Sequence, residues 1–274
     1  MLDVGQFVGH DAAQLAFGQH VEDAGGGVIL PIFRQQFGAR STDPLTVTSP
    51  LPRFADHAWL ALVDVALDED GLMRSFPVTE LINGIPTQSA PAVLAGYSDA
   101  RTHRLEIDFS IRPETVPTYS VADVLSGAVG HEAFDGKSVV VGAYATELKD
   151  LFAVPIYGIL SGPMLHVLAT ETLVQDRILR PLQLEPIGLL LAGLIIAYTL
   201  AFHRLSLALP LAASIALFSI GETIAFLLYK NEALLLQTAS LWLTLGFGFF
   251  MLLAEKVGLN SWLAELAVAE NRDI

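Results

Sequence analysis

Hydrophobic and polar positions divide the chain into two unlike parts. Up to about residue 183, short apolar runs alternate with turns; from Leu184 to Ala254 apolar residues follow one another almost without charge. The first part reads as an α/β domain. Its clearest strand signal is Ser138–Val141, fed by the turn Asp135-Gly136-Lys137 and ended by Gly142. A continuous β-branched run between turn residues predicts a strand buried on both faces, central to a mixed and partly parallel sheet.

Taken in order, Asp11 with Gln14 three residues on is a capping-box pattern, predicting a helix from there to about Ala24, stopped by Gly25-Gly26-Gly27. Val28-Ile29-Leu30 then predicts a short buried strand closed by Pro31. Residues 35–56, rich in Ser, Thr and Pro, read as a loop. Trp59–Leu67 and Leu72–Leu81 flank Asp68-Glu69-Asp70-Gly71 and predict a hairpin; Asn83-Gly84 predicts a second. Ser89 is expected to cap a helix to about Tyr97, with Pro91 in its first turn. Leu105–Phe109 alternates as a strand, and Ser120–Asp123 opens a short helix stopped near Gly127. A last amphipathic helix, about Met164–Gln175, places Leu165, Leu168, Ala169, Thr172 and Leu173 on one face.

Three apolar segments follow, about 184–202, 205–229 and 233–254. Each is long enough to cross roughly 30 Å of hydrocarbon at about 1.5 Å per residue. Short links make them an antiparallel three-helix transmembrane unit in contact with lipid. His203-Arg204 and the tail's Lys256 and Arg272 then share one side, against Arg177, Arg180 and Lys230 on the other, a weak positive-inside signal. The tail, 255–274, has Leu259, Trp262, Leu263 and Leu266 at helical spacing and reads as the start of a linker helix.

Charge changes the picture in one respect. The chain carries a net charge of −14, and 23 of its 29 acidic side chains precede residue 187. Such a domain repels nucleic acid, which is not an expected partner. With no cysteine, disulfides, thiolate catalysis and Cys-ligated zinc are excluded. The sequence holds no Ser-His-Asp order, HExxH, Walker, kinase or cyclase motif, so neither an enzyme nor a cofactor is expected.

Several short patterns carry a resemblance. Asp68-Glu69-Asp70-Gly71-Leu72-Met73-Arg74 is a D-x-D-G-x-x-R turn, and Ser120–Leu125 an S-x-x-D-V-L helix start. Gly136–Ala143 reads G-K-x-V-x-V-G-A, and Asp150–Pro155 reads D-x-F-x-x-P. Gly162–His166 begins a G-x-x-x-H-A pattern in which Val167 replaces the alanine. In order and spacing over about residues 1–182, these resemble the type-two CHASE domain, the cyclase- and histidine-kinase-associated sensory extracellular module. Members normally begin with a membrane helix and a first strand–helix unit, and end in a cytoplasmic cyclase, cyclic-di-GMP or kinase domain. The chain is therefore expected to be the sensor half of such a receptor, clipped at both ends.

The resemblance implies domain 1–183 outside the inner membrane of a bacterium and a cytoplasmic C-terminus. It also implies a small-molecule or protein stimulus and a homodimer. A stand-alone membrane scaffold is the alternative, and a small transporter using Glu222 a third.

The carboxyl end of the predicted central strand makes Gly142, Thr146 and Asp150 the expected ligand-facing residues. Asp70 and Arg74 in the turn, His166 in the last helix and Glu222 inside the second apolar segment are signalling or structural candidates. No metal is expected: an EF-hand reading that puts Gly71 at its sixth position needs ligands at Ala66 and Pro77. Gly246 and Gly248 are expected to be close-packing points between helices.

Overall fold

The computed structural model describes residues 4–36, 45–99, 101, 103–144, 150–181, 187–202, 204–236 and 238–270. The chain divides into two units, Met1–Ile178 and Leu179–Ile274.

The first unit opens with helix α1 (Val4–Asp23), strand β1 (Ile29–Gln36), strand β2 (Leu45–Thr48), a single helical turn α2 (Pro52–Ala55) and strand β3 (Trp59–Leu62). Strands β4 (Ser75–Ile82) and β5 (Ile85–Gln88) follow, then helix α3 (Ala90–Leu94), strand β6 (His103–Glu106) and helix α4 (Val121–Leu125). The hairpin of β7 (Leu151–Val154) and β8 (Gly158–Ser161) leads into α5 (Gly162–Val174).

Strand β1 pairs antiparallel with β2 and parallel with β3, and β4 lies between β5 and β6, antiparallel to both. A parallel bridge from Leu62 to Ser89 joins the two three-stranded sheets edge to edge. The Arg34 guanidinium reinforces that join. It binds Asp64, just beyond β3, at 2.5 Å and also Glu80 on β4. The mixed, partly parallel sheet of the α/β reading is present.

α5 lies on this sheet. Leu165, Leu168, Ala169, Thr172 and Leu173 are buried, the face that the spacing predicts. They pack with Phe76 and Val78 of β4, Ala92 of α3, Val154 of β7, and Met73, Ile107 and Phe109. The Asn83-Gly84 hairpin also forms, with both residues at positive φ (49° and 82°) as a tight I′-type turn requires. Ser120 caps α4 through its hydroxyl, accepting from the Ala122 amide.

Other expectations are corrected. Ser138–Val141 is not a strand: no strand among the described residues pairs with it, and Val139 and Val141 are exposed. β-branched residues favour a ladder only where a neighbour offers its N–H and C=O groups. Here it is the residue after the run that meets the start of α5, Gly142 against Pro163. Asp11 does not open the helix, because α1 already begins at Val4.

Strand β1 continues through Pro31. The Val28 and Ile32 carbonyls accept from the Trp59 and Val63 N–H groups on the β3 side, so Pro31 faces the other edge, which β2 meets only from Phe33 onward; its missing N–H costs no bond. The turn Asp68–Gly71 forms, yet its flanks do not pair as a hairpin: β3 joins β1 while β4 joins β5 and β6. The 35–56 loop contains β2 and α2; α3 ends at Leu94, and β6 covers His103–Glu106 rather than Leu105–Phe109.

The second unit contains β9 (Arg180–Pro181), α6 (Ile187–Phe202), α7 (Ala208–Glu232), β10 (Leu234–Leu235) and α8 (Ala239–Glu270). Among the described residues two helices are long and apolar enough to cross a membrane, α7 and the Ala239–Gly258 part of α8, where three were expected. α6, described from Ile187, has 16 residues, about 24 Å at 1.5 Å each; residues 184–186 of the predicted first segment lie outside the described residues. The third apolar segment does not begin as helix: Ala233 turns left-handed (φ 51°) and ends α7, and β10 pairs with β9. The predicted tail helix and the third segment are one continuous helix, α8.

Tyr198 of α6 donates to the Pro210 carbonyl at 2.9 Å and lies 2.8 Å from the Ser214 hydroxyl of α7. Tyr198, Leu245 and Leu252 are buried together. Gly248 lies against Tyr198, whereas Gly246 has open space around it. Outward apolar side chains such as Ile215, Ile220 and Phe226 remain exposed.

Candidate functional site

The sequence-derived residues fall into three places. Gly142 and Asp150 come together at the first turn of α5, because Gly142 packs on Pro163 and the Asp150 carboxylate on Gly162. A Cβ at 142 would meet the rigid Pro163 ring, so glycine is required there; one at 162 would displace the Asp150 carboxylate. The Gly162 N–H donates to the Asp150 carbonyl at 3.0 Å, which ties the start of β7 to the end of β8. A carboxylate is favoured at a helix amino end, but partial burial here raises the Asp150 pKa above its ordinary value. Thr146 lies outside the described residues.

His166 is one turn further along α5, partly buried. Burial holds its pKa down at about 4, opposed by a hydrogen bond with the Val63 backbone. The ring is therefore neutral at pH 7 and lies against the chain just beyond β3.

Asp70 and Arg74 form the second place. The turn closes with Asp68 N–H to Leu72 O at 2.8 Å and Gly71 N–H to Asp68 O at 2.9 Å; Gly71 takes φ 80°. Arg74 donates to Asp68 at 2.7 Å and to Asp70 at 2.9 and 2.5 Å. Its bonds, with the Leu72 amide, hold the Asp70 carboxyl at about 2. These are exposed pairs of small energetic weight. Their effect is to shape the turn. The flanking chain is anchored to the core by Met73 N–H to Ala153 O and by Ile107 N–H to Arg74 O, both at 2.8 Å. Glu106, half-buried beside the turn, has its pKa raised by burial and then by Asp68.

The third place lies in the second unit, where Glu222 on α7 accepts from the Trp242 indole N–H on α8. Gly221 sits beneath the same indole, and Phe218 packs against it at a tilt of 53° with ring centroids 4.7 Å apart.

Two features had no counterpart in the sequence reading. A cleft of about 460 Å³, lined by Glu22, Gly25, Gly26, Asp56, His57, Ala58 and Trp59, opens at the amino ends of β1 and β3. A cluster of buried Asp108 and Thr172 with part-buried Arg177 holds the far end of α5. Asp108 is more than sixty residues from the other two, and the three belong to no motif. The only sequence signals were a carboxylate between apolar residues, Ile107 and Phe109, and a threonine on the buried face of the predicted helix.

Three of the patterned segments thus meet around α5: Gly142 and Asp150 at its start, and the Asp68–Arg74 turn through Met73 and Ile107. Residues 6–201 match the CHASE2 domain. No curated protein and no solved structure shows a match. A match over well more than half of the 274 residues, together with these segments in their places, decides the family: the chain belongs to the CHASE2 domains, extracellular sensory modules of signalling receptors.

Proposed function

We propose that the chain is the sensory input and membrane anchor of a bacterial transmembrane signalling receptor. The observation that carries this reading is the CHASE2 match running directly into apolar helices whose outward faces remain exposed. The first unit lies outside the inner membrane and senses a small molecule or protein. α6 together with the residues 184–186 that precede it, α7 and the apolar part of α8 cross in turn, and α8 delivers the signal to a cytoplasmic output domain, in a homodimer. The β9–β10 pair supports the up–down–up path, since it sets the α7–α8 link beside the segment that enters α6.

The stimulus acts where Gly142 and Asp150 meet at the start of α5. From there a displacement of α5 reaches the other end of the helix, and binding shifts a pre-existing balance of two arrangements. No chemistry is catalysed in these residues.

The topology is tested with a reporter fused after Ile274, paired with an accessible tag in the 120–130 segment. Cytoplasmic reporter activity with an externally accessible tag is expected. An extracytoplasmic reporter would overturn the reading.

A further inference from the structure

The last turn of α5 ends in an unusual way. The Asp176 N–H bonds the Leu173 carbonyl at 3.1 Å, and the Arg177 N–H bonds the Thr172 carbonyl at 2.9 Å. Asp176 takes the left-handed conformation between them, φ 51°. This is the closing pattern that glycine usually serves. Ile178, the next residue, packs against the core, and the chain then passes into the second unit.

Asp108 secures this end from the opposite side. It is fully buried, two residues beyond β6. Its N–H donates to the Thr172 hydroxyl at 3.0 Å, and that hydroxyl donates to the Leu168 carbonyl at 2.8 Å. Its carboxylate accepts from the Ser110 N–H at 2.9 Å and from the Arg177 Nε–H. Arg177 is thus held twice, by its backbone to Thr172 and by its side chain to Asp108. An ion pair whose carboxylate is fully buried and whose arginine side chain is 25% exposed is a poor source of stability, because desolvation offsets much of the attraction; where it is kept, it can fix one register among several. Here the register is that of the segment leaving the domain. Asp108 is also next to Ile107, whose N–H is bonded to Arg74, so the charged turn and the exit of α5 are connected through one residue.

We propose that Asp108 and Arg177 form a latch that fixes the exit of α5, and that the latch must open before the first unit can move the segment leading to the membrane helices. The second half of this statement rests on the receptor reading; the first does not. Both residues act by positioning.

The test is amide hydrogen exchange on the full chain in lipid nanodiscs, comparing the wild type with D108N, R177Q and R177K. Exchange at 176–178 is expected to rise at least tenfold in D108N and R177Q, and less in R177K, which keeps a cation. Amides of 165–173 are expected to keep their rates. Unchanged exchange at the exit overturns the latch, and so does an equal rise along all of α5, which is plain destabilisation. R177Q decides alone if D108N does not accumulate. Because this readout is independent of topology, a failed latch and a failed receptor reading give different results.

Discussion

The Cα of Gly142 lies so close to the ring of Pro163 that position 142 has no room for a Cβ. An otherwise exposed segment is therefore seated on the first turn of α5 by the absence of a side chain. Gly142→Ala is expected to lift residues 137–144 away from the helix. Limited proteolysis within that segment should accelerate severalfold, while the buried face of α5 keeps its protection. An unchanged cleavage rate would show that the contact holds nothing in place.

The energetic centre of the first unit is elsewhere on the same helix. Leu168 is 0% exposed and faces β4 and α3, whereas Leu125 at the end of α4 is 82% exposed. Leu168→Ala should cost about 2–5 kcal/mol, through lost transfer energy and the cavity left behind. Leu125→Ala should stay within about 0.5 kcal/mol. Denaturant unfolding of the two variants in the full chain checks the contrast, and equal midpoints would contradict the burial pattern.

His166 gives the first unit a pH dependence of known sign. Its folded-state pKa is depressed to about 4 from 6.5, so the unfolded chain binds the extra proton between these values. The stability it contributes is complete above pH 6.5 and is lost as pH falls towards 4. The slope is at most about 1.4 kcal/mol per pH unit. His166→Gln should flatten the unfolding curve in that window and leave it unchanged above pH 7. A variant whose slope matches the wild type would place the titration on another group.

Within the helical unit, Glu222→Gln keeps an oxygen for the Trp242 indole, so α7–α8 packing should be retained and no transmembrane flux altered. Glu222→Ala removes the acceptor. A double-mutant cycle with Trp242→Phe should show a coupling of about 0.6 kcal/mol, the size found for hydrogen bonds between membrane helices. Strict additivity in thermal unfolding would mean that the pair carries no energy, and a changed flux in the Gln variant would revive the transporter reading.

The parts of this structure legible in the sequence are those fixed by local geometry. The α5 face follows from a 3.6-residue period, and the β4–β5 hairpin from a two-residue turn that needs positive φ at Asn83 and Gly84. The Ser120 cap likewise depends on residues within one turn. What was misread depends on neighbours. Ser138–Val141 has the composition of a buried strand, but pairing requires a ladder that the run itself cannot supply. Pro31 looked like a strand end because its lost N–H was counted without asking which edge it faces. Of the site, the turn around Asp70 and Arg74 was visible as a motif. The meeting of Gly142 and Asp150 at α5, and the joining of Asp108 to Arg177, were not, since only the tertiary fold brings such distant positions together.

The continuity of α8 sets a rule for whatever is attached to its carboxyl end. Thirty-two residues in one helix make a rod of about 48 Å, and its last twelve residues extend beyond the apolar stretch that ends at Gly258. A rod of this kind has a phase. Each residue inserted after Gly258 advances an attached domain by only about 1.5 Å but rotates it by about 100°. Coupling along α8 should therefore vary periodically with linker length, lost after one or two added residues and largely restored after seven.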